Sequence, residues 1–187
     1  LSIATADLNM DSTPEIVVSN WEVEGLRVIH NFLPVSQSPP DIEITVTYQS
    51  DWNLVGLPIE VEDALYTILF PESIEGTLFS FDNGYNLEPS LIQGEGYWLR
   101  FNEEGSTTIT GIPINELTIS LNEGWNLISG INISLNISAI HDPDGIIIAG
   151  TIYGFALGGY SNAEILEPGK GYWVRANSSG SIILITD

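Results

Sequence analysis

The chain has 187 residues, 25 Asp plus Glu against 4 Lys plus Arg, no Cys, and a formal net charge of −21. Such acidity excludes binding to phosphate backbones and docking on anionic lipid, both of which need clustered Lys and Arg. Without Cys there are no disulfide frameworks, thiolate metal sites or Cys nucleophiles, and two distant His give no basis for a His-centred acid–base or metal site.

The chain opens at Leu1 without an initiator Met or a leader, which reads as a processed or excised piece. In residues 1–40, two β-type runs around Ile3–Ala6 and Glu15–Ser19 flank Asp7-Leu8-Asn9-Met10-Asp11-Ser12-Thr13-Pro14-Glu15. A third run covers Leu26–Asn31. Asp7, Asn9, Asp11 and Glu15 supply side-chain oxygens at positions 1, 3, 5 and 9 of this loop, and Thr13 a carbonyl at position 7. A hard cation such as calcium needs that spacing. The Pro- and Ser-rich stretch Pro34–Pro40 closes this arm as a linker. Three strands with an apolar face are marginal alone, so the arm is expected to pair with the rest of the chain or to add to a neighbouring copy as a strand.

The remainder is a tandem repeat, residues 41–114 and 115–187. Trp52-Asn53-Leu54-Val55 recurs as Trp125-Asn126-Leu127-Ile128. Gly76-Thr77-Leu78-Phe79-Ser80-Phe81 recurs as Gly150-Thr151-Ile152-Tyr153-Gly154-Phe155. Gly94-Glu95-Gly96-Tyr97-Trp98-Leu99-Arg100 recurs as Gly169-Lys170-Gly171-Tyr172-Trp173-Val174-Arg175. Three ordered matches mark a duplication. Within each unit, Ile44, Val46 and Tyr48, like Leu117, Ile119 and Leu121, alternate with polar residues as strands do. Val61–Phe70 and its weaker counterpart Ser134–Ile140 predict at most a turn or two of helix. Asp82-Asn83-Gly84 and Gly158-Gly159 predict tight turns. Gly145–Ala163 is uncharged, but five Gly interrupt it, so it reads as strand–turn–strand and not as a membrane span. The fold class is all-β: two small sandwich- or barrel-like units of about six short strands each, preceded by the β arm. Units this small are expected to share an interface.

Few residues offer chemistry. The repeated Trp52, Trp98, Trp125 and Trp173 read first as core residues. The alternative is stacking on sugar rings, for which Trp98 and Trp173 are the candidate ligand-binding residues. Arg100 and Arg175 lie two residues beyond Trp98 and Trp173, so each pair shares a strand face and the Arg serves to stack or to pair with a carboxylate. Adjacent acids such as Glu62-Asp63 and Glu103-Glu104 do not make the carboxylate pair across a cleft that a glycosidase needs, and no catalytic residue is assigned. Asn132, Asn136 and Asn177 open glycosylation sequons.

Two resemblances follow from these motifs. Residues 1–33, through Asp7-x-Asn9-x-Asp11-Ser12-x-x-Glu15, resemble the calcium-binding FG-GAP or VCBS-type repeats of extracellular β-propellers, with Ser12 and Glu15 where Gly and Asp are usual. This implies calcium as cofactor. The Trp-Asn-Leu and Gly-x-Gly-Tyr-Trp elements resemble repeated modules of large secreted or surface-attached bacterial proteins. The expectation is a secreted or cell-surface, non-catalytic structural protein. It would assemble by strand pairing of its arm, with further copies or other surface proteins as partners. Its competitors are a carbohydrate-binding or adhesive module with a glycan partner, and a fragment of a larger surface enzyme.

Overall fold

The computed structural model describes the backbone of residues 2–6, 15–19 and 26–29, and residues 39–156 and 158–186 in full. The chain divides into two compact units, Leu1–Ser38 and Pro39–Asp187. The first is an antiparallel meander of β1 (Ser2–Ala6), β2 (Glu15–Ser19) and β3 (Leu26–Ile29). Ala6 pairs with Glu15 across the first hairpin. The connection 7–14, which carries Asp7, Asn9, Asp11 and Thr13, lies outside the described residues, as does the Glu15 side chain.

The second unit is all-β and built twice. The first repeat runs β4 (Ile42–Tyr48), β5 (Asp51–Gly56), β6 (Ile59–Glu60), α1 (Tyr66–Leu69), β7 (Phe79–Phe81), β8 (Tyr85–Leu87), β9 (Gly96–Phe101) and β10 (Gly105–Pro113). The second runs β11 (Glu116–Leu121), β12 (Gly124–Ser129), β13 (Leu135–Asn136), a 3-10 turn at Ile137–Ala139, β14 (Tyr153–Ala156), β15 (Gly159–Asn162), β16 (Ile165–Leu166), β17 (Gly171–Ala176) and β18 (Gly180–Ile185). Each repeat holds a four-stranded antiparallel sheet, β5-β9-β7-β8 or β12-β17-β14-β15. Each also pairs its first and last long strands, β4 with β10 and β11 with β18.

Local chemistry accounts for these elements. Val46 and Tyr48 of β4 are buried while Glu43, Thr45 and Thr47 face out, the period-2 pattern of a half-buried strand. The helix lasts four residues because Pro71 follows Phe70 and biases it toward extended backbone. At the β7–β8 hairpin Asn83 adopts φ +53°, and in the second repeat Gly158 adopts φ +74°, as turns of positive φ require. No helix among the described residues is long and apolar enough to cross a membrane.

Each repeat has its own core. Val55, Leu57, Phe70, Tyr97, Leu99 and Phe101 anchor the first, and Ile128, Ile131, Leu166, Tyr172, Val174 and Ile182 the second. A third cluster of Leu54, Leu127 and Trp173, flanked by Phe81, Trp98, Tyr153 and Phe155, draws on both repeats. Strand alternation produces it. On β9, Tyr97, Leu99 and Phe101 fill the repeat's own core, while Trp98 points from the other face toward the other repeat.

The repeats meet along a reciprocal seam. Gly56 N donates to Gly169 O at 3.1 Å, and Ser129 N donates to Gly94 O at 3.0 Å. Val55 bridges Lys170, and Ile128 bridges Glu95. Each pair is one contact seen from either repeat, so the interface is isologous and a pseudo-two-fold axis relates the halves. The seam explains the glycines of the repeated motif. A Cβ on Gly96 would stand 2.5 Å from Ile128 O, and one on Gly171 would stand 2.9 Å from Val55 O. The backbones approach too closely for a side chain. Lys170 Nζ also donates across the seam to Thr47 O.

Candidate functional site: paired aromatic clefts at the seam

Two clefts open beside the seam and obey the same symmetry. The first, of about 400 Å³, is lined by Trp52, Phe79, Tyr85 and Trp98 of the first repeat and by Phe155 of the second. The second, of about 440 Å³, is lined by Trp125, Tyr153, Tyr160 and Trp173 of the second repeat and by Phe81 of the first. These five positions correspond one to one. Each cleft is therefore completed by a ring from the other repeat, and neither repeat forms one alone.

The ring packing is equally reciprocal. Trp98 meets Phe155 edge to face at 4.8 Å, and Trp173 meets Phe81 at 4.8 Å. Trp52 meets Trp98 at 6.3 Å, and Trp125 meets Trp173 at 6.2 Å. Such T-shaped pairs each contribute about 0.5–1.5 kcal/mol beyond area burial, which holds the rings in place before any ligand arrives. The hairpins β7–β8 and β14–β15 carry the crossing rings. Phe81 also packs on Tyr85 at 5.5 Å and Phe155 on Tyr160 at 5.2 Å.

An Arg stands over one Trp of each cleft. The Arg100 guanidinium lies 5.9 Å from the Trp52 centroid, and that of Arg175 lies 6.0 Å from Trp125. These Trp are the cross-strand partners of the Arg residues in β5–β9 and β12–β17. The stacking thus crosses between strands and does not fall on Trp98 or Trp173, the same-strand neighbours expected from sequence. Cross-strand residues stand closer than residues two apart on one strand. Arg100 Nε also donates to Asp51 Oδ1 at 2.7 Å. The second repeat has Gly124 at the place of Asp51, so this ion pair has no counterpart there. Asp51 adopts φ +73° and Gly124 φ +98°, a left-handed turn that Gly enters freely and Asp tolerates.

A third cavity borders the first cleft. This groove of mixed polar and apolar lining, of about 980 Å³, shares Trp52 and Phe155 with it and is walled by Gln49, Asp51, Asn162, Glu164, Glu167 and Lys170, among others. Burial lowers the Lys170 ammonium pKa against the opposing pull of Glu167. In the second cleft, burial raises the Tyr160 hydroxyl pKa, and the Trp173 indole beside it partly offsets the rise. Their geometry falls short of a hydrogen bond, and Trp173 Nε1 is left buried without a partner.

The expected core role of the four Trp needs correction. Trp173 is 8% exposed and is core, but Trp125 is 43% exposed, and Trp52 and Trp98 are half-buried. The interface supplies the reason: Trp98 and Trp173 pack in the cluster between the two repeats, while Trp52 and Trp125 stand outside every core cluster and line the clefts. The sequence-assigned ligand residues Trp98 and Trp173 both line clefts, one in each. Sequence reasoning missed Phe79, Tyr85, Tyr153, Phe155, Phe81 and Tyr160. The available signal was the recurrence of aromatics at Phe79/Tyr153, Phe81/Phe155 and Tyr85/Tyr160. Among the described residues no cluster of His, Asp and Glu is arranged to hold a metal. The loop of Asp7, Asn9, Asp11 and Thr13 lies outside them. Comparison with protein-family models, curated proteins and solved structures finds no match for the chain.

Proposed function

We propose that the protein is a secreted or cell-surface, non-catalytic module that binds a neutral polysaccharide through its aromatic clefts. One observation carries this reading: the first cleft, floored by Trp52, Trp98 and Phe155, shares two of these rings with a neighbouring groove whose wall includes amide, carboxylate and hydroxyl groups. A pyranose ring needs that combination, because its C–H face packs on the negative face of an aromatic ring while its hydroxyls need polar partners at the edge. The charge narrows the class. A net charge of −21, with Asp51, Glu164 and Glu167 on the groove wall, disfavours anionic glycans by like-charge repulsion.

Affinity electrophoresis through gels containing glucan, mannan, xylan or polygalacturonate tests the reading. Retardation is expected in at least one neutral gel, none in polygalacturonate, and a tenfold or greater loss in the double variant Trp52→Ala/Trp125→Ala, which removes a floor ring from each cleft. Free migration in every gel overturns it. The same gels loaded with a proline-rich peptide control for the other ligand that aromatic grooves take.

A second reading concerns the arm and rests on the β1–β2 register. Ala6 and Glu15 are paired, so eight residues, 7–14, connect the two strands. We propose that this connection takes calcium through Asp7, Asn9, Asp11, Thr13 and Glu15, and that the three-stranded arm docks by strand addition on another copy to build a surface fibre. Light scattering with calcium and then with chelator checks this. The expected result is a large assembly that dissolves on chelation; a mass indifferent to calcium removes the arm from assembly.

A further inference from the structure

We infer that the two clefts are separate, equivalent sites for two polysaccharide segments, so that one copy of the protein bridges two glycan chains. The inference rests on the glycan-binding reading above and adds its valency. The contacts Gly56–Gly169 and Ser129–Gly94, and the ring pairs Trp98–Phe155 and Trp173–Phe81, are each other's images under a half-turn. The clefts therefore present corresponding rings, with Phe79 replaced by Tyr153, in orientations that differ by that half-turn.

A polysaccharide has direction, from a reducing to a non-reducing end. A half-turn about an axis across the chain reverses that direction. A half-turn about an axis beside and parallel to the chain moves it to a second, parallel line. In neither case does one straight chain meet both clefts with the same contacts. Each cleft takes its own segment.

The cross-completion gives the duplication its purpose. Phe155 closes the first cleft and Phe81 the second, so the tandem pair is the smallest piece that makes any site, and it makes two. The volumes, about 400 and 440 Å³, are alike and lie within the range of built ligand pockets. The clefts differ in detail: the first has Phe79 where the second has Tyr153, and the first borders the groove that holds Asp51, Glu164, Glu167 and Lys170. Arg100 is neutralised by Asp51, whereas Gly124 leaves Arg175 without that partner. Similar but unequal affinities follow.

The test uses the full chain and the hexasaccharide of whichever neutral polysaccharide retards it, in calorimetric titration followed by Trp fluorescence. Two molecules are expected per chain for the wild type and one each for Trp52→Ala and Trp125→Ala. In light scattering the wild type is expected to cross-link the parent polysaccharide, while each variant binds it without cross-linking. Tyr85→Ser and Tyr160→Ser repeat the experiment at rings 58% and 57% exposed, where loss of the side chain spares the core. A wild-type stoichiometry of one, or binding abolished by either single variant, overturns the two-site inference and leaves the glycan reading standing. A protein that doubles its own mass without glycan and loses that association in Trp52→Ala overturns it as well, because the clefts then hold a second copy. Failure of every neutral probe overturns the reading beneath and this inference with it.

Discussion

Gly56→Ala is expected to destabilise the second unit by about 3 kcal/mol, at the upper end of overpacking substitutions, and Ser129→Gly in the same chain is expected to restore most of the loss. A Cβ on Gly56 would stand 2.1 Å from Ser129 Cβ and 3.3 Å from Lys170 O. Neither strand can yield cheaply. β5 is held by Gly56 N donating to Gly169 O, and β12 by Ser129 N donating to Gly94 O, so opening the gap breaks both seam bonds. Gly56 and Ser129 are the same position in the two repeats, and the axis brings them face to face. Only one of the pair has room for a side chain. The double variant G56A/S129G moves the side chain to the other repeat and keeps the volume. Ser129→Gly alone is expected to be near neutral. It removes a buried hydroxyl that has no partner, worth about 1 kcal/mol or more, and adds about 0.5–1 kcal/mol of chain entropy loss. Denaturant unfolding followed by Trp fluorescence reads the cycle directly, because Trp98 and Trp173 sit at the seam. Gly56→Ala within 0.5 kcal/mol of wild type, or a double variant no better than Gly56→Ala, would show that the seam gives way where the backbone contacts say it cannot.

The same pair shows where sequence reading reaches its limit. The duplication, the strand alternation of Ile44, Val46 and Tyr48, and the turn at Asn83 were all legible, because each is a local pattern with a local cause. The glycines of Gly94-x-Gly96 and Gly169-x-Gly171 were visible as a motif but not as a reason. For Gly96 and Gly171 the reason is a backbone oxygen of the other repeat, that of Ile128 and of Val55, far off in the chain, whereas Gly94 and Gly169 adopt positive φ and face the Ile119 and Val46 side chains of the other repeat. The Trp residues were misjudged for a related cause. Alternation on β9 correctly separates Trp98 from Tyr97 and Leu99, but which face meets solvent depends on a second sheet that periodicity cannot place. The capping of Trp52 by Arg100 needed the β5–β9 register. The partnership of Phe155 with Trp98 needed the two-fold axis. Local grammar fixes elements, whereas the clefts arise where two copies of that grammar interlock.

Asn53→Asp is expected to cost about 2–4 kcal/mol at neutral pH, more than Asn53→Ala, although it changes only an amide to a carboxylate. The Asn of the Trp-Asn-Leu motif staples the turn that precedes its strand. Asn53 Nδ2 donates to Gln49 O at 2.8 Å and Asp51 O at 3.0 Å, and its Oδ1 accepts from Gln49 N at 2.9 Å. Asn126 makes the same three bonds to Asn122 and Gly124. A carboxylate keeps the acceptor but turns two donations into oxygen-against-oxygen repulsion, and Asn53 is buried, so water cannot repair it. Desolvation and the two carbonyls raise the introduced carboxyl's folded pKa above its unfolded value. By linkage the defect is smallest at low pH, where the neutral acid donates one bond, and it grows as pH rises through the folded pKa. Asn126→Asp is expected to cost less, since Asn126 is half-exposed. Unfolding curves at pH 4 and pH 7 for both variants check this: a pH-independent loss, or equal losses at the two positions, removes the staple as the motif's explanation. The consequence extends beyond stability. The stapled turn carries Asp51 and Trp52, and through them the Arg100 clamp and the wall shared by cleft and groove. Loosening the turn is therefore expected to weaken glycan retention in the first cleft while sparing the second.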